Sequence, residues 1–386
     1  MNIKKLNQLD SFMNERLEKK SVMGASLLVE HKGKRVYENF FGTDRKDSIY
    51  KLFDLTMPIT SVATMILFER GDIDLLAPVG SFLQGFSDCK VATETGMKKA
   101  ESPILIRDLL NMTSGIVGCG DYGIPEQSMT KTYREAKTQS LSGILKSTAD
   151  VCNKFGEACL AFEPGTGFHY GFSSDVLGAV LEVITGKSLS EFLKEDMFQT
   201  LNMEDTDFLI DPNKSLRQAI LYRRNRNGRL VRGEDDVRQK FDMDSPFKNP
   251  WYESAGTGLY STLEDYAHFA QMLLNRGSYH GKELIGRKTM DFMTTPTVKS
   301  EAVAASMHIT RPGLGYSYGN LFNILTNSSD ACTNATEGEI SYSGLCGSFF
   351  IVDPAEDLIV ILLQQVDQGA DEGFIRRIKQ IVYGTL

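Results

Sequence analysis

Strand-forming segments occupy both ends of this 386-residue chain, while helix-forming segments occupy its middle. After an amphipathic N-terminal helix, ASLLVEHKGKRVYENFFG and SIYKLF have the character of a hairpin, turned at Lys32-Gly33-Lys34, and a third strand. Strand-type segments return near the other end in EGEISYSG, GSFFIVDP and LIVILLQQV, before a last helix, EGFIRRIKQIVYGTL. This distribution predicts an α+β fold, in which an antiparallel sheet is built from both chain termini and flanked by helices, with a mainly helical region inserted.

The same pattern divides the chain into two predicted domains. A discontinuous α/β sheet domain takes residues 1–70 and 246–386, and a mainly helical domain takes residues 71–245, with a cleft between them. Within the first domain, the apolar stretch ITSVATMILFER predicts a helix from about residue 58 to 70 that ends at Gly71.

Composition and charge argue against several classes of function. The net charge of −8 argues against nucleic acid as a partner, and the basic stretch YRRNRNGRLVRG at 222–233 is predicted to be a solvated loop. No run of about 18 apolar residues is present, so no membrane span is predicted. The six cysteines lack metal-ligand spacing and no export signal precedes them, so we expect free thiols, no metal or cofactor, and a cytoplasmic location. These features leave the oligomeric state open.

Several segments follow one another along the chain: DSIYKLFDLTMPITSVATMILFERGDIDL, ILIRDLLNMTSGI, PGTGFHYGFSSDVLGAVLEVITGKSL and SGLCGSFFIVDPAEDLIVILL. In order and spacing, they resemble the serine β-lactamase and penicillin-binding protein superfamily. The resemblance is to the class C-like branch, which includes family VIII carboxylesterases and D-aminopeptidases, and it runs from about residue 22 to the end. It implies a β-lactamase/transpeptidase-like fold.

The resemblance also implies three site motifs, of which the first is altered here. Active members carry Ser-x-x-Lys at the head of the central helix, where the serine forms an acyl-enzyme and the lysine helps to remove its proton. In this chain Asp54 stands at the serine position and Met57 at the lysine position, just before Pro58. The second motif keeps its proton-shuttling tyrosine, Tyr170, but has Phe172 at the usual asparagine position.

The third motif lies near the C-terminus, where family members have Lys-Thr-Gly, His-x-Gly or Trp-x-Gly on an edge strand. This chain has Tyr342-Ser343-Gly344 there, and Leu345 is expected to offer its backbone N–H to an oxyanion. An aromatic residue in this place resembles the esterase version of the motif. With Phe172, Tyr342 favours a hydrophobic or aromatic ligand in the cleft.

A literal Ser-x-x-Lys also occurs at Ser48 and Lys51, upstream of the aligned position. It lies in a stretch that alternates like a strand, where residues three apart point to opposite faces. We therefore do not expect this pair to share a site.

The residues at the altered motif cannot perform ordinary acyl-enzyme chemistry. The Met57 thioether has no proton to exchange, and attack by the Asp54 carboxylate would give a reactive mixed anhydride. Loss of one member of a nucleophile–base unit typically lowers the rate by a factor on the order of 10⁴ to 10⁶. Ordinary β-lactamase and D-peptidase activity are therefore predicted to be absent.

Three hypotheses remain open for the function. In the first, Asp54 caps the helix, Met57 fills the place of the lysine, and the protein is a pseudoenzyme that binds a small acyl, ester or peptide-like ligand. In the second, Asp54 works as general base or acid with Tyr170 and a backbone oxyanion hole, as a non-covalent hydrolase, lyase or isomerase. In the third, another serine is the nucleophile. The candidates are Ser173, Ser174 and Ser343, none of which has a lysine at helical spacing.

Overall fold

The computed structural model describes residues 1–240, 245–305, 314–369 and 372–386. The helices of these residues are α1 (Ile3–Glu18), α2 (Thr56–Arg70), α3 (Ile106–Leu110), α4 (Ile124–Leu141), α5 (Thr148–Phe155), α6 (Ser173–Thr185), α7 (Leu189–Leu193), α8 (Gln199–Leu201), α9 (Glu234–Lys240), α10 (Leu263–Leu274), α11 (Arg287–Met293), α12 (Ser300–Ala305) and α13 (Glu372–Tyr383). The strands are β1 (Gly24–His31), β2 (Lys34–Gly42), β3 (Tyr50–Lys51), β4 (Lys90–Thr93), β5 (Gly96–Lys99), β6 (Tyr222–Arg224), β7 (Leu230–Arg232), β8 (Tyr260–Ser261), β9 (Ser278–Tyr279), β10 (Lys282–Glu283), β11 (Tyr316–Gly319), β12 (Phe322–Leu325), β13 (Ile340–Ser343), β14 (Phe349–Asp353) and β15 (Leu358–Gln364).

A seven-stranded antiparallel sheet joins the two ends of the chain, in the order β11-β12-β13-β14-β15-β1-β2. The junction is the pairing of β1 with β15, in which Ala25 lies opposite Gln364 and His31 opposite Leu358. The predicted α+β fold, with a sheet built from both termini, is confirmed.

The turn between β1 and β2 has the geometry that a two-residue hairpin requires. Lys32 and Gly33 have φ angles of 52° and 68°, and two successive positive φ values are typical of a type I′ turn. His31 pairs with Lys34 directly across this turn, so the hairpin prediction is confirmed.

The third strand predicted in SIYKLF does not join the main sheet. Only Tyr50 and Lys51 are extended, and they pair with β8 in a separate two-stranded sheet. The strand is short because the chain turns at Leu52 into a single 3-10 turn, Phe53–Leu55, that leads directly into α2.

Helix α2 is the central helix of the fold. Every residue from Thr56 to Leu67 is buried, and the helix ends at Gly71 in the left-handed conformation that commonly closes helices. Its polar side chains have partners: Thr60 Oγ1 donates to the carbonyl of Ala255 at 2.7 Å, and Ser61 Oγ donates to that of Asn320 at 2.6 Å. The predicted helix is confirmed, and it begins two residues earlier than expected.

The two faces of the sheet are covered differently. Helices α1 and α13 share a hydrophobic cluster with one face, which includes Leu6, Leu9 and Leu362. On the other face one continuous core joins α2, α6 and α10 to the sheet, with Phe350 and Ile361 among its members. The boundaries of the two predicted domains stay a prediction.

The basic stretch at 222–233 was expected to be a loop, and this is wrong in part. Strands β6 and β7 form a hairpin, in which Arg224 lies opposite Leu230, and the residues between them are mostly exposed. Within the part of the chain that the structure describes, no helix has the length and apolar character to cross a membrane. All six cysteines are free thiols.

Candidate active site

Asp54 lies in the short 3-10 turn that precedes α2. Phe53, the residue before it, has a φ of 49°, a left-handed conformation that bulky side chains rarely adopt. The Phe53 ring is buried in a small cluster with Leu221 and Val237, which holds the turn in place. Only 7% of Asp54 is exposed, so its carboxyl group is directed into the protein.

The Asp54 carboxyl group accepts hydrogen bonds from two distant parts of the chain. Its Oδ2 accepts from the backbone N–H of Leu345 at 2.7 Å, and its Oδ1 accepts a short bond from the Tyr170 hydroxyl. The backbone N–H of Asp54 itself also donates to the carboxyl group. Asp54 is not a helix cap, because α2 follows Leu55 and no side chain caps its first turn. The capping role in the first hypothesis is therefore wrong.

Met57 occupies the centre of a group of phenol hydroxyls. Its Sδ lies 3.4 Å from the Tyr170 hydroxyl and 3.2 Å from that of Tyr342, and both contacts are weak hydrogen bonds to sulfur. Tyr342 is also 3.1 Å from the Tyr318 hydroxyl. Because each phenol has one proton, Tyr170 can donate to Asp54 or to Met57 but not to both. Met57 thus fills the site by packing and by weak acceptance.

Burial governs the ionisation of the two groups that face each other. Burial raises the pKa of the Asp54 carboxyl, and the hydrogen bonds from Tyr170 and Leu345 oppose part of that rise. The pKa of Tyr170 is raised well above its usual value. The larger cause is burial, and the second is the nearby charge of Asp54. Tyr170 is therefore a proton donor at neutral pH, and Asp54 is the acceptor.

The turn after β13 brings the Leu345 N–H to Asp54. Ser343 is the last residue of β13 and is paired with Phe349, while the Gly344 N–H donates to the carbonyl of Ser348 at 2.8 Å. A Cβ at Gly344 would lie 3.2 Å from the Leu52 carbonyl oxygen, so a side chain there would require a shift of a few tenths of an ångström. The glycine thus favours the close approach of the turn to Asp54.

Phe172 lies immediately before α6, two residues after Tyr170. It belongs to a group of stacked rings, with centroids 5.4 Å from Tyr133 and 5.1 Å from Phe155. Sequence reasoning missed Tyr133. It also missed Tyr318, whose hydroxyl belongs to the set of tyrosine hydroxyls near Met57. No local signal marks either tyrosine, because long-range packing brings both of them here.

Two of the alternative serines, Ser48 and Ser173, have other partners. Ser48 Oγ accepts from the Arg45 N–H, whereas Lys51 Nζ donates to the Gly258 carbonyl at 2.6 Å, as expected for a pair that shares no site. Ser173 Oγ lies 2.8 Å from Ser114 Oγ, on the buried first turn of α6. Across the described ranges, no three His, Cys, Asp or Glu side chains are arranged to hold a metal ion.

Comparison with known proteins agrees with the resemblance found in the sequence. A family model described as Beta-lactamase matches residues 9–383. The chain is 25% identical over 375 residues to the esterase EstB of Burkholderia gladioli, covering 92% of this chain and 89% of the esterase. The structure of EstCE1, a hydrolase with promiscuous acyltransferase activity, superposes with a TM-score of 0.81 at 21% identity, covering 99% of both chains. Simvastatin synthase LovD from Aspergillus terreus also gives 0.81 at 21% identity, covering 98% of both. The predicted β-lactamase-like fold is confirmed.

Proposed function

Because the chain belongs to the beta-lactamase family of serine hydrolases and acyltransferases, we propose that it is a non-acylating member. In this proposal it binds a small acyl, ester or peptide-like ligand at the Asp54 site and does not form an acyl-enzyme. The site is formed by Asp54, Met57, Tyr170, Tyr342 and the Leu345 N–H.

One observation carries the proposal: the Asp54 carboxyl group accepts the Leu345 N–H at 2.7 Å. Acyl transfer needs an attacking oxygen and, beside it, donors that are free to receive the oxyanion of the intermediate. Here the expected oxyanion donor, the Leu345 N–H, is already bonded to a carboxyl oxygen of Asp54. The side chain one turn along the helix is the thioether of Met57, which cannot act as a base. Both requirements of the acyl-enzyme pathway are missing at once.

The same geometry supports binding of a neutral carbonyl compound. The Tyr170 and Tyr342 hydroxyls and the Leu345 N–H are donors that a ligand carbonyl could accept if Asp54 rotates away. A carboxylate ligand would instead meet the Asp54 charge, and like charges in a buried site repel strongly. We therefore expect neutral esters and amides to bind better than the corresponding acids.

Covalent labelling tests the proposal. A fluorophosphonate or a fluorescent penicillin should leave the wild-type protein unlabelled, because neither Asp54 nor Met57 supplies an activated hydroxyl. The double variant Asp54→Ser with Met57→Lys restores the family pair and should be labelled if the surrounding site is intact. Stoichiometric labelling of the wild-type protein would overturn the proposal.

A second candidate is a non-covalent enzyme in which Asp54 acts as general base. The direct hydrogen bond from Tyr170 and the burial-raised pKa of Asp54 favour it, since a base is most effective when its pKa approaches the working pH. Turnover of esters or amides by the wild-type protein, lost in Asp54→Asn, would favour this enzyme. Ligand binding without turnover in either protein would favour the non-acylating binder.

A further inference from the structure

Five aromatic side chains from four parts of the chain meet beside the site. We call them the aromatic cluster. They are Tyr133 of α4, Phe155 of α5, Phe172 before α6, and the adjacent Trp251 and Tyr252. Tyr133 stacks nearly parallel to Phe172, with an interplanar angle of 16°, and meets Trp251 edge-on at 5.3 Å. These offset and edge-on arrangements are the favourable geometries for aromatic rings.

The aromatic cluster is not simply part of the core. Phe155 at its base is 1% exposed, but the other four members are only partly buried. Partly exposed rings packed on a buried one form an apolar surface that solvent reaches. Such surfaces are typical of ligand pockets, which are lined mainly by apolar and aromatic side chains.

The chain connects the aromatic cluster to the candidate active site. Phe172 follows Tyr170 by two residues, so their Cα atoms lie at most about 7 Å apart. An arylacyl group has a comparable length, so a ligand with its carbonyl near Tyr170 has the right size to place a ring near Phe172.

Charges on both sides of the aromatic cluster favour a neutral occupant. The Lys137 ammonium lies 5.9 Å from the centroid of the Trp251 ring, where it would repel a cation. The Asp54 carboxyl group and the Asp175 carboxyl group beside Tyr252 would repel an anion. A neutral planar group meets neither penalty.

We propose that Tyr133, Phe172 and Trp251 form a subsite for a neutral aryl group, so that the ligand is an arylacyl ester or amide. The inference rests on the proposed function, since the carbonyl of this ligand would lie at the Asp54 site. The rings provide stacking and edge contacts that an aliphatic group of the same size cannot make.

The test uses four small probes with the full-length protein. Phenylacetamide carries the neutral aryl group, cyclohexylacetamide replaces the ring with an aliphatic one, acetamide lacks it, and phenylacetate carries a negative charge. Trp251 is the single tryptophan of the chain, so tryptophan emission reports on the aromatic cluster alone. Thermal unfolding measures binding independently of that signal.

The expected result is a ranking of affinities. Phenylacetamide should bind at least about tenfold more tightly than acetamide, because it buries an additional ring. It should bind about threefold to tenfold more tightly than cyclohexylacetamide, because aromatic pairs gain beyond their buried area. Phenylacetate should bind more weakly than phenylacetamide. Phenylacetamide should also change the Trp251 emission.

Variants separate a subsite from a structural role. Phe172→Leu keeps an apolar side chain and removes the ring, so it should remove the preference for phenylacetamide over cyclohexylacetamide. Trp251→Leu removes a second ring of the proposed subsite and should reduce the same preference, measured by the thermal shift. A matched control is Phe12→Leu, which should leave the ranking intact because Phe12 of α1 stacks on Phe374 of α13, with ring centroids 5.5 Å apart. If Phe172→Leu fails to fold, Tyr133→Leu tests the same preference.

The outcomes distinguish the two proposals. If phenylacetamide raises the unfolding temperature but leaves Trp251 emission unchanged, and Phe172→Leu keeps the wild-type ranking, the aryl subsite is wrong and the binding function stands. Preferential binding of phenylacetate or of an arylalkylamine would also overturn the neutral subsite. If none of these probes, and no other ester or amide, shifts the unfolding temperature, both proposals fail.

Discussion

Asp54 is a buried carboxyl group whose hydrogen bonds all come from neutral donors. Tyr170, the Leu345 N–H and its own amide stabilise the charged form, yet burial has the larger effect and raises its pKa. Among the described residues, no lysine or arginine contributes to that shift. Met57, three residues along the chain, carries no charge that could oppose the effect of burial on Asp54.

We predict that Asp54→Asn is more stable than the wild-type protein at neutral pH, by about 1 kcal/mol, the size of a typical buried polar contact. The folded-state pKa of Asp54 is raised, so its contribution is fully present below the unfolded-state value, whose reference is 3.8, and is lost as the pH rises through the folded-state value. Asparagine does not titrate and can still accept the Leu345 N–H and donate to Tyr170.

Urea unfolding from pH 4 to pH 8 measures this difference. The gap between Asp54→Asn and wild type should shrink as the pH falls toward 4, while all other titrating groups cancel because both proteins contain them. A variant that is less stable than wild type at every pH would mean that the charged carboxylate stabilises the site.

The turn between β1 and β2 allows the contribution of turn conformation to the stability of a hairpin to be measured. Lys32 has a left-handed φ of 52°, which asparagine tolerates better than lysine, and Asn-Gly is the preferred type I′ pair. We predict that Lys32→Asn stabilises the protein by about 0.5–1 kcal/mol and that Gly33→Ala destabilises it by about 1–2 kcal/mol. No atom lies within 4 Å of a Cβ at Gly33, so the second effect is a backbone cost.

Equilibrium urea unfolding of the two variants and wild type checks both signs. Lys32→Ala serves as the control, because it removes the lysine side chain but keeps an unfavourable φ. If Lys32→Ala stabilises the protein as much as Lys32→Asn does, the gain comes from loss of the lysine side chain and not from the turn conformation.

The elements that could be predicted are those with local signals. The hairpin, α2 with its closing Gly71, and the C-terminal strands each carry turn, cap or alternation patterns. The extent of β3 could not be predicted, because its pairing with β8 joins residues more than 200 positions apart in the sequence. The hairpin of β6 and β7 had a signal that was missed, the Asn227-Gly228 pair at its turn.

The residues of the candidate site could be predicted from the sequence, but the hydrogen bonds between them could not. Resemblance to the family picked out Asp54, Met57, Tyr170 and Leu345, and the structure brings all four together. That the Asp54 carboxyl group would itself occupy the Leu345 N–H could not be predicted, since it depends on the direction of one side chain within a 3-10 turn. The aromatic cluster was equally hidden, because two helices, the residue before a third and a distant loop contribute its rings.

The two ends of the chain meet in the folded molecule. The Asn2 N–H donates to the Thr385 carbonyl at 2.6 Å, and α1 packs beside α13 on one face of the sheet. Lys379 of α13 donates hydrogen bonds to the Glu339 carboxylate, at 2.7 Å, and to the Tyr316 hydroxyl. Glu339 is fully buried. This buried ion pair fixes the last helix to the sheet that carries the Leu345 turn.

We predict that Lys379→Met destabilises the molecule by about 3–5 kcal/mol, because it leaves the buried Glu339 charge without a positively charged partner. Adding Glu339→Gln should recover much of this loss, since the remaining amide is neutral and can still accept a hydrogen bond from the Tyr383 hydroxyl. Urea unfolding of the single and double variants measures the recovery. If the double variant is as unstable as Lys379→Met, lost packing of the lysine stem is the cause. If it recovers, the ion pair holds α13 to the sheet by charge compensation.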